Sequence, residues 1–318
     1  MKKSIGILGA GAFGTALAIT YYKLFNITLF SFFENHVSNM KSSRINEFFP
    51  DIKIPNDINI EQTENLKNYK FDYIFWVFPI SPTEEILLPL KNYLNGTDVV
   101  ICSKGLLPNS IFLSDLFKST LPDSNIGYLA GPNFAIELAH NNYSAADIAF
   151  DDITKASKIA NDLSTENFKL NPINDIIGAQ ICGATKNIIA IGAGIIKGLN
   201  LGQNTYAAYL NIALKEMRKL GIALGAQNET FYGLCGLGDL ILTTSTSDSR
   251  NTTFGINIAQ GKSIAEAINN KSACEGYSTL KQVLDLANEK KISLPICETI
   301  YKIIFESYSP DFILNVFK

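Results

Sequence analysis

The sequence predicts an α/β fold in which a helix-wrapped parallel sheet is followed by an all-helical C-terminal domain. Three observations lead there. Short β-rich runs alternate with helical patterns through the first half, the order a parallel sheet with crossover helices requires. From about Asn174 onward, long helical periodicities replace them. The length, 318 residues, is about twice that of a usual single domain, which favours two.

Residues 3–8, 27–30, 73–78, 99–103 and 126–130 read as strands, and 168–170 as a last one. After the third strand, Ser81-Pro82-Thr83-Glu84 has capping-box spacing, with serine as N-cap, proline first in the helix and glutamate at N3. Pro172 suits no helix interior, so the join is placed there, giving domains 1–172 and 173–318. Helical patterns then cover 176–199, 204–224, 263–269 and 277–288.

Hydrophobic residues make up 47% and charged residues 18%, far from the profile of a disordered chain. A net charge of −3 offers no general attraction for nucleic acid or an anionic membrane surface, so any anionic ligand needs local groups. The five cysteines, Cys102, Cys182, Cys235, Cys274 and Cys297, are scattered without a Cys-x-x-Cys pair. Neither a disulfide framework nor a metal site is expected, and a reducing cytoplasm fits. The basic start and apolar run to Ala18 resemble a secretion signal, but four glycines within it argue against one. The apolar stretch 176–199 is long enough for a membrane span, yet Lys186 and Asn187 at its middle favour a buried core helix.

Residues 3–8 run directly into Gly9-Ala10-Gly11-Ala12-Phe13-Gly14 and then a good helix opening. This is Gly-x-Gly-x-x-Gly in its required strand–turn–helix setting, and it makes the sheet domain Rossmann-type. Gly9 permits the tight turn, Gly11 lets backbone amides approach a pyrophosphate, and Gly14 allows close helix–sheet packing. The motif selects neither a reaction nor NAD over NADP. Past the second strand, Ser31-Phe32-Phe33-Glu34 offers no arginine for a 2′-phosphate, and Glu34 reads equally as a ribose ligand or a solvated helix start.

The second half carries three polar clusters in apolar surroundings. Lys186, within Gly183-Ala184-Thr185-Lys186-Asn187, must be paired, snorkelled or functional, because burial lowers an ammonium pKa. Asp239 follows the glycines of Gly233-Leu234-Cys235-Gly236-Leu237-Gly238, where a plain turn aspartate is the alternative. Ser249-Arg250-Asn251 joins a fork-shaped cation to a helix N-terminus, which suits a phosphate monoester. An N-cap serine beside a surface arginine gives the same pattern.

With these segments, Ser103-Lys104-Gly105, Ala130-Gly131-Pro132-Asn133-Phe134-Ala135, Glu275-Gly276-Tyr277 and Leu294-Pro295-Ile296 stand in the order of a known family. The chain resembles the bacterial NAD(P)-dependent glycerol-3-phosphate dehydrogenases over nearly its whole length. The resemblance implies reversible hydride transfer between NAD or NADP and dihydroxyacetone phosphate, giving sn-glycerol 3-phosphate for glycerophospholipid synthesis. It makes Lys186 the proton donor and Asp239 the group that orients it. Substrate contacts fall to Lys104, Gly131, Asn133, Lys186, Asp239, Ser249, Arg250 and Asn251. Cofactor contacts fall to Gly9, Gly11, Ala12, Phe13, Gly14, Phe32, Lys104, Ala135, Arg250 and Glu275. Phe32 stands where the family commonly has a basic residue, and Pro79-Ile80 where it has proline-serine. Asn133 replaces a serine or threonine, and Ile136 a common lysine.

Two rival readings remain on the residues alone. One is another lysine-acid Rossmann dehydrogenase, of 3-hydroxyacid or ketopantoate type, which a phosphate clamp at Arg250 argues against. The other is a non-catalytic dinucleotide sensor, which would have little reason to keep Lys186, Asp239 and Arg250 together. A phosphorylated small molecule is the expected partner, without nucleic acid or stable membrane insertion, and the apolar helical half suits a homodimer.

Overall fold

A computed structural model of the chain describes residues 2–246, 249–268 and 274–318. Its contacts divide the chain into two compact units: Met1–Ser103 with Leu113–Leu129 and Asn133–Ile176, and Lys104–Phe112 with Ala130–Pro132 and Ile177–Lys318.

The first unit holds β1 (Ser4–Leu8), α1 (Ala12–Tyr21), β2 (Asn26–Ser31), α2 (Glu34–Ser43), β3 (Ile45–Asn46), β4 (Phe49–Lys53), β5 (Asn59–Gln62), β6 (Tyr73–Trp76), α3 (Thr83–Leu94), β7 (Asp98–Ile101), α4 (Leu113–Thr120), β8 (Ile126–Ala130), α5 (Ala135–Ala139), β9 (Ser144–Ala149), α6 (Ile153–Leu163) and β10 (Phe168–Ile173). Eight strands form one sheet in the order β10-β9-β8-β7-β6-β1-β2-β5, mostly parallel, while β3 and β4 make a separate antiparallel hairpin. Central strand β1 buries Ile5, Ile7 and Leu8 completely, as a strand covered on both faces must. The order reverses around β1, with β2 on one side and β6 on the other. That reversal creates the crevice where doubly wound sheets take their ligands.

The α/β-then-helical architecture expected from the sequence is present, with local corrections. Ser81 is not the cap of α3: Pro82 takes the N-cap position outside the helical region, and no side chain caps there. Instead Thr83 Oγ1 donates to the Pro79 carbonyl. Strands β6 and β7 stop at Trp76 and Ile101, short of Phe78 and Ser103. β10 continues through Pro172 to Ile173, which an edge strand tolerates because one side of it needs no amide donors. Strands β5 and β9 and the β3–β4 hairpin were not expected.

The second unit is built on α7 (Ile176–Gly198), with α8 (Gln203–Ala223), α9 (Asp239–Ser245), α10 (Arg250–Ala259), α11 (Ile264–Ile268), α12 (Glu275–Glu289) and α13 (Pro295–Phe305). The expected end of the 263–269 pattern, Asn269, lies outside the described residues. Helix α7 is the one helix among the described residues long and apolar enough to cross a membrane. Its most apolar window is 94% buried within the protein, as a core helix is. It packs backbone to backbone on α10. A Cβ at Gly194 would lie 2.1 Å from the Thr252 carbonyl oxygen, and one at Gly255 would lie 2.0 Å from that of Ile191. Larger residues at either position would push the two helices apart.

Candidate active site

The glycine turn is positioned by the strand pair that carries it. Leu8 pairs with Phe30, and the next amide, Gly9 N–H, donates to the Phe30 carbonyl at 3.0 Å. Gly9 has φ +120, which L side chains rarely adopt. A Cβ on Gly14 would stand 1.9 Å from the Gly9 carbonyl oxygen, so α1 starts hard against the turn. At Gly11, the N-cap residue of α1, a Cβ would meet nothing within 4 Å. An unobstructed approach to the amides at a helix N-terminus is what a bound pyrophosphate requires, so these residues fit a dinucleotide.

Around the turn, Ala12 and Phe13 open α1 and pack partly against the apolar core. Phe32, just past β2, is 59% exposed. Ala135 begins α5 and packs on the same core. Asn133 donates from Nδ2 to the Ala145 carbonyl at 2.9 Å, while its buried Oδ1 has no hydrogen-bond partner among the described residues. A residue the sequence reading missed completes the loop. Asn46, fully buried, donates to the Ala10 carbonyl at 2.9 Å and to Thr15 Oγ1 at 2.7 Å, tying the β3–β4 hairpin to the glycine turn.

In the helical unit, Lys186, Asp239 and Lys104 converge. Lys186 Nζ donates to Asp239 Oδ1 at 2.5 Å and to Thr243 Oγ1 at 3.0 Å, and Lys104 Nζ donates to Asp239 Oδ2 at 3.0 Å. Lys186 is 5% exposed and Asp239 1%, which removes the snorkelled lysine and the plain turn aspartate as alternatives. Asp239 begins α9 directly after a π-turn, Leu234–Gly238, the kind of irregularity that re-aims a side chain. Thr243, four residues on, shares its helix face and donates to Asp239 Oδ1 at 3.2 Å. That i, i+4 spacing in an otherwise apolar turn was the signal that could have found it.

The electrostatics follow from two ammonium groups sharing one buried carboxylate. Burial, reinforced by the Lys104 charge, outweighs the pull of Asp239 and pushes Lys186 down to about 7. For Lys104, burial also works downward, but Asp239 prevails and holds it above the ordinary lysine range. Burial would raise Asp239, and the two lysines overcome it and keep the carboxylate below its ordinary value. Lys186 is thus the group poised to gain or lose a proton near neutrality.

Next to Lys186 on α7, Asn187 donates from Nδ2 to Glu275 Oε2 at 2.9 Å. Asn251 Oδ1 accepts from the Gly276 amide at 2.9 Å and from the Cys274 thiol at 3.1 Å, fastening α10 to the start of α12. Ser249 caps α10, accepting from the Thr252 amide at 3.3 Å. Arg250 is exposed and makes no ion pair among the described residues. Gly131 is buried, followed by Pro132, whose ring lies 3.6 Å from where a Gly238 Cβ would stand. No group of three or more candidate metal ligands occurs among the described residues.

The model of the NAD-dependent glycerol-3-phosphate dehydrogenase N-terminus matches residues 4–156, and that of the C-terminus matches residues 175–315. The chain is 38% identical over 316 residues to the glycerol-3-phosphate dehydrogenase [NAD(P)+] of Francisella tularensis subsp. novicida, covering 98% of this chain and 95% of that one. The crystal structure of glycerol-3-phosphate dehydrogenase from Coxiella burnetii superposes with a TM-score of 0.93 at 30% identity, covering 100% of this chain and 99% of that one. The Saccharomyces cerevisiae glycerol-3-phosphate dehydrogenase structure gives a TM-score of 0.87 at 22% identity over the full length of both chains, a likeness of fold. With both halves matched in order and the relatedness spanning its length, this chain belongs to the NAD-dependent glycerol-3-phosphate dehydrogenase family.

Proposed function

We propose that the chain reduces dihydroxyacetone phosphate to sn-glycerol 3-phosphate reversibly, with NAD or NADP as cofactor, and so feeds glycerophospholipid synthesis. The observation that carries the reading is the buried Lys186–Asp239–Lys104 cluster in a chain of this family. The nicotinamide, when bound, supplies or accepts the hydride. Gly9, Gly11, Ala12, Phe13 and Gly14 hold the pyrophosphate through backbone amides, and Phe32 and Ala135 line the cofactor. Lys186 gives its proton to the oxygen that becomes the C2 hydroxyl and takes it back in the reverse direction. Its pKa near 7 supports that role, since proton transfer is most effective when the pKa lies near the working pH.

Asp239 fixes Lys186 Nζ, with Thr243 as a second anchor. Lys104 keeps positive charge beside the developing oxyanion and contacts both substrate and cofactor. Arg250, exposed at the start of a capped helix, pairs with the phosphate together with the Asn251 amide, and also reaches the cofactor with Glu275. Gly131, Asn133 and Ser249 complete the substrate contacts. The dinucleotide-binding domain, 1–172, gives way to the helical domain, 173–318, with Lys104–Phe112 and Ala130–Pro132 of the first stretch belonging to the second compact unit. The protein works in the cytoplasm as a homodimer, without stable membrane insertion, and five cysteines free of disulfides suit that compartment. Sedimentation of the purified protein tests the dimer.

The test of function is cofactor consumption by the purified protein, with dihydroxyacetone phosphate and then with unphosphorylated dihydroxyacetone. Turnover that requires the phosphate supports the reading. Binding of cofactor without turnover would replace it with a sensor, and equal use of both ketones would remove the phosphate clamp.

A further inference from the structure

Helix α9 is seven residues long and carries Asp239 as its first residue. A helix this short is not stable by itself, so its place depends on what holds its two ends. Lys186 holds the first end, through the Asp239 carboxylate. At the other end, the last four carbonyls of a helix have no backbone partner within it. Ser245 Oγ donates to that of Leu242 at 3.1 Å, and Thr252 Oγ1 to that of Thr243 at 2.9 Å. Those of Thr244 and Ser245 both accept from Lys197 Nζ, at 2.6 and 3.0 Å.

Lys197 comes from the last turn of α7, the helix that carries Lys186. The two lysines stand eleven residues apart, about three turns at about 3.6 residues per turn, so they leave α7 on one face and reach opposite ends of α9. Because α9 has no basic residue in its own last turn, Lys197 also supplies the cation that the carboxyl end of a helix favours. The ring of Tyr206, on α8, lies 5.1 Å from Lys197 Nζ and adds a third contact. Helix α10, with Arg250 at its start, has a separate hold on α7 through the close packing at Gly194 and Gly255.

We propose that Lys197 is a positioning residue for the reaction: by fixing the carboxyl end of α9 it keeps the Asp239 carboxylate against Lys186. The inference rests on the function proposed above and deepens it. Steady-state reduction of dihydroxyacetone phosphate over a range of pH, with urea unfolding of the same preparations, tests it. Lys197→Met keeps the stem of the side chain and removes the ammonium. It lowers kcat about tenfold through a misplaced Asp239, and leaves KM for the ketone within about threefold because α10 keeps its place. The upper limb of the reduction profile moves down by about half a pH unit, since Lys186 feels less of Asp239 while Lys104, and Glu275 near it, are unaltered. Lys197→Arg restores a cation and returns kcat to within about threefold of the unaltered chain. A Lys197→Met chain that is merely less stable, with kcat and the pH limb unchanged, overturns the inference, as does a rise in KM alone. If that variant does not fold, Lys197→Gln, which keeps an N–H donor for the carbonyls, takes its place under the same expectations. Absence of turnover in the unaltered chain overturns the proposed function and this inference together.

Discussion

Lys186 and Asp239 meet at 2.5 Å with almost no solvent between either group and the protein, and the other oxygen of the same carboxylate is held by Lys104. One negative charge therefore serves two lysines. The more buried of the two sits near its midpoint at neutral pH, while the other stays charged.

That asymmetry sets the pH dependence. As a proton donor Lys186 must be charged, so kcat/KM for ketone reduction holds below about 7 and falls about tenfold per pH unit above it. As an acceptor it must be neutral, so alcohol oxidation rises up to the same pH and then levels. Parallel profiles in the two directions would contradict the assignment.

Folding stability has its own signature. Between about 7 and the unfolded value of 10.5, the unfolded chain holds a proton on Lys186 that the folded chain has released, so stability rises with pH across that window. Lys104 and Asp239 keep their charges there in both states. Urea unfolding at several pH values shows the rise in the unaltered chain and its loss in Lys186→Met.

Asp239→Asn leaves two lysines without their carboxylate. Breaking a buried ion pair from one side costs roughly 3–5 kcal/mol. The variant should unfold at markedly lower urea, and its reduction limb should move to lower pH because Lys186 loses the group that holds its proton. Unchanged stability would mean that the cluster is more solvated than its burial indicates.

The glycine turn separates binding from folding. Gly11→Ala places a methyl in open space and should lower stability by no more than about 1 kcal/mol, since glycine is the better N-cap, while weakening cofactor binding sharply. Gly14→Ala drives a Cβ into the Gly9 carbonyl and should impair both. Full cofactor affinity in Gly11→Ala would argue against pyrophosphate at this turn.

Asn46→Ala strips the Ala10 carbonyl and Thr15 hydroxyl of a buried donor and should cost roughly 1–3 kcal/mol. It should also raise the cofactor dissociation constant, because the turn loses the tie that fixes it. Thermal unfolding and calorimetry on the same preparation check both.

What the sequence made legible was local. The strand, glycine turn and helix of residues 3–21 follow one another without interruption, and Ser249 declares itself as a cap by type and position. The shared carboxylate was less legible, because Lys104 and Asp239 stand 135 residues apart and only folding brings them together. β9 reads Ser-Ala-Ala-Asp-Ile-Ala, poor in β-branched residues, and forms because its neighbours in the sheet pair with it. β5, an edge strand with Ile60 as its one buried residue, leaves almost no alternation to detect. Nothing near Asn46 in sequence points to the glycine turn and helix start 31–36 residues earlier.

The central claim is that Lys186 is the proton donor, and Lys186→Met tests it most directly. The substitution keeps the length of the side chain and leaves Asp239 paired with Lys104. The account predicts that kcat/KM with dihydroxyacetone phosphate falls roughly 100- to 10,000-fold, while cofactor affinity and thermal stability hold. Turnover within a few-fold of the unaltered chain would contradict it.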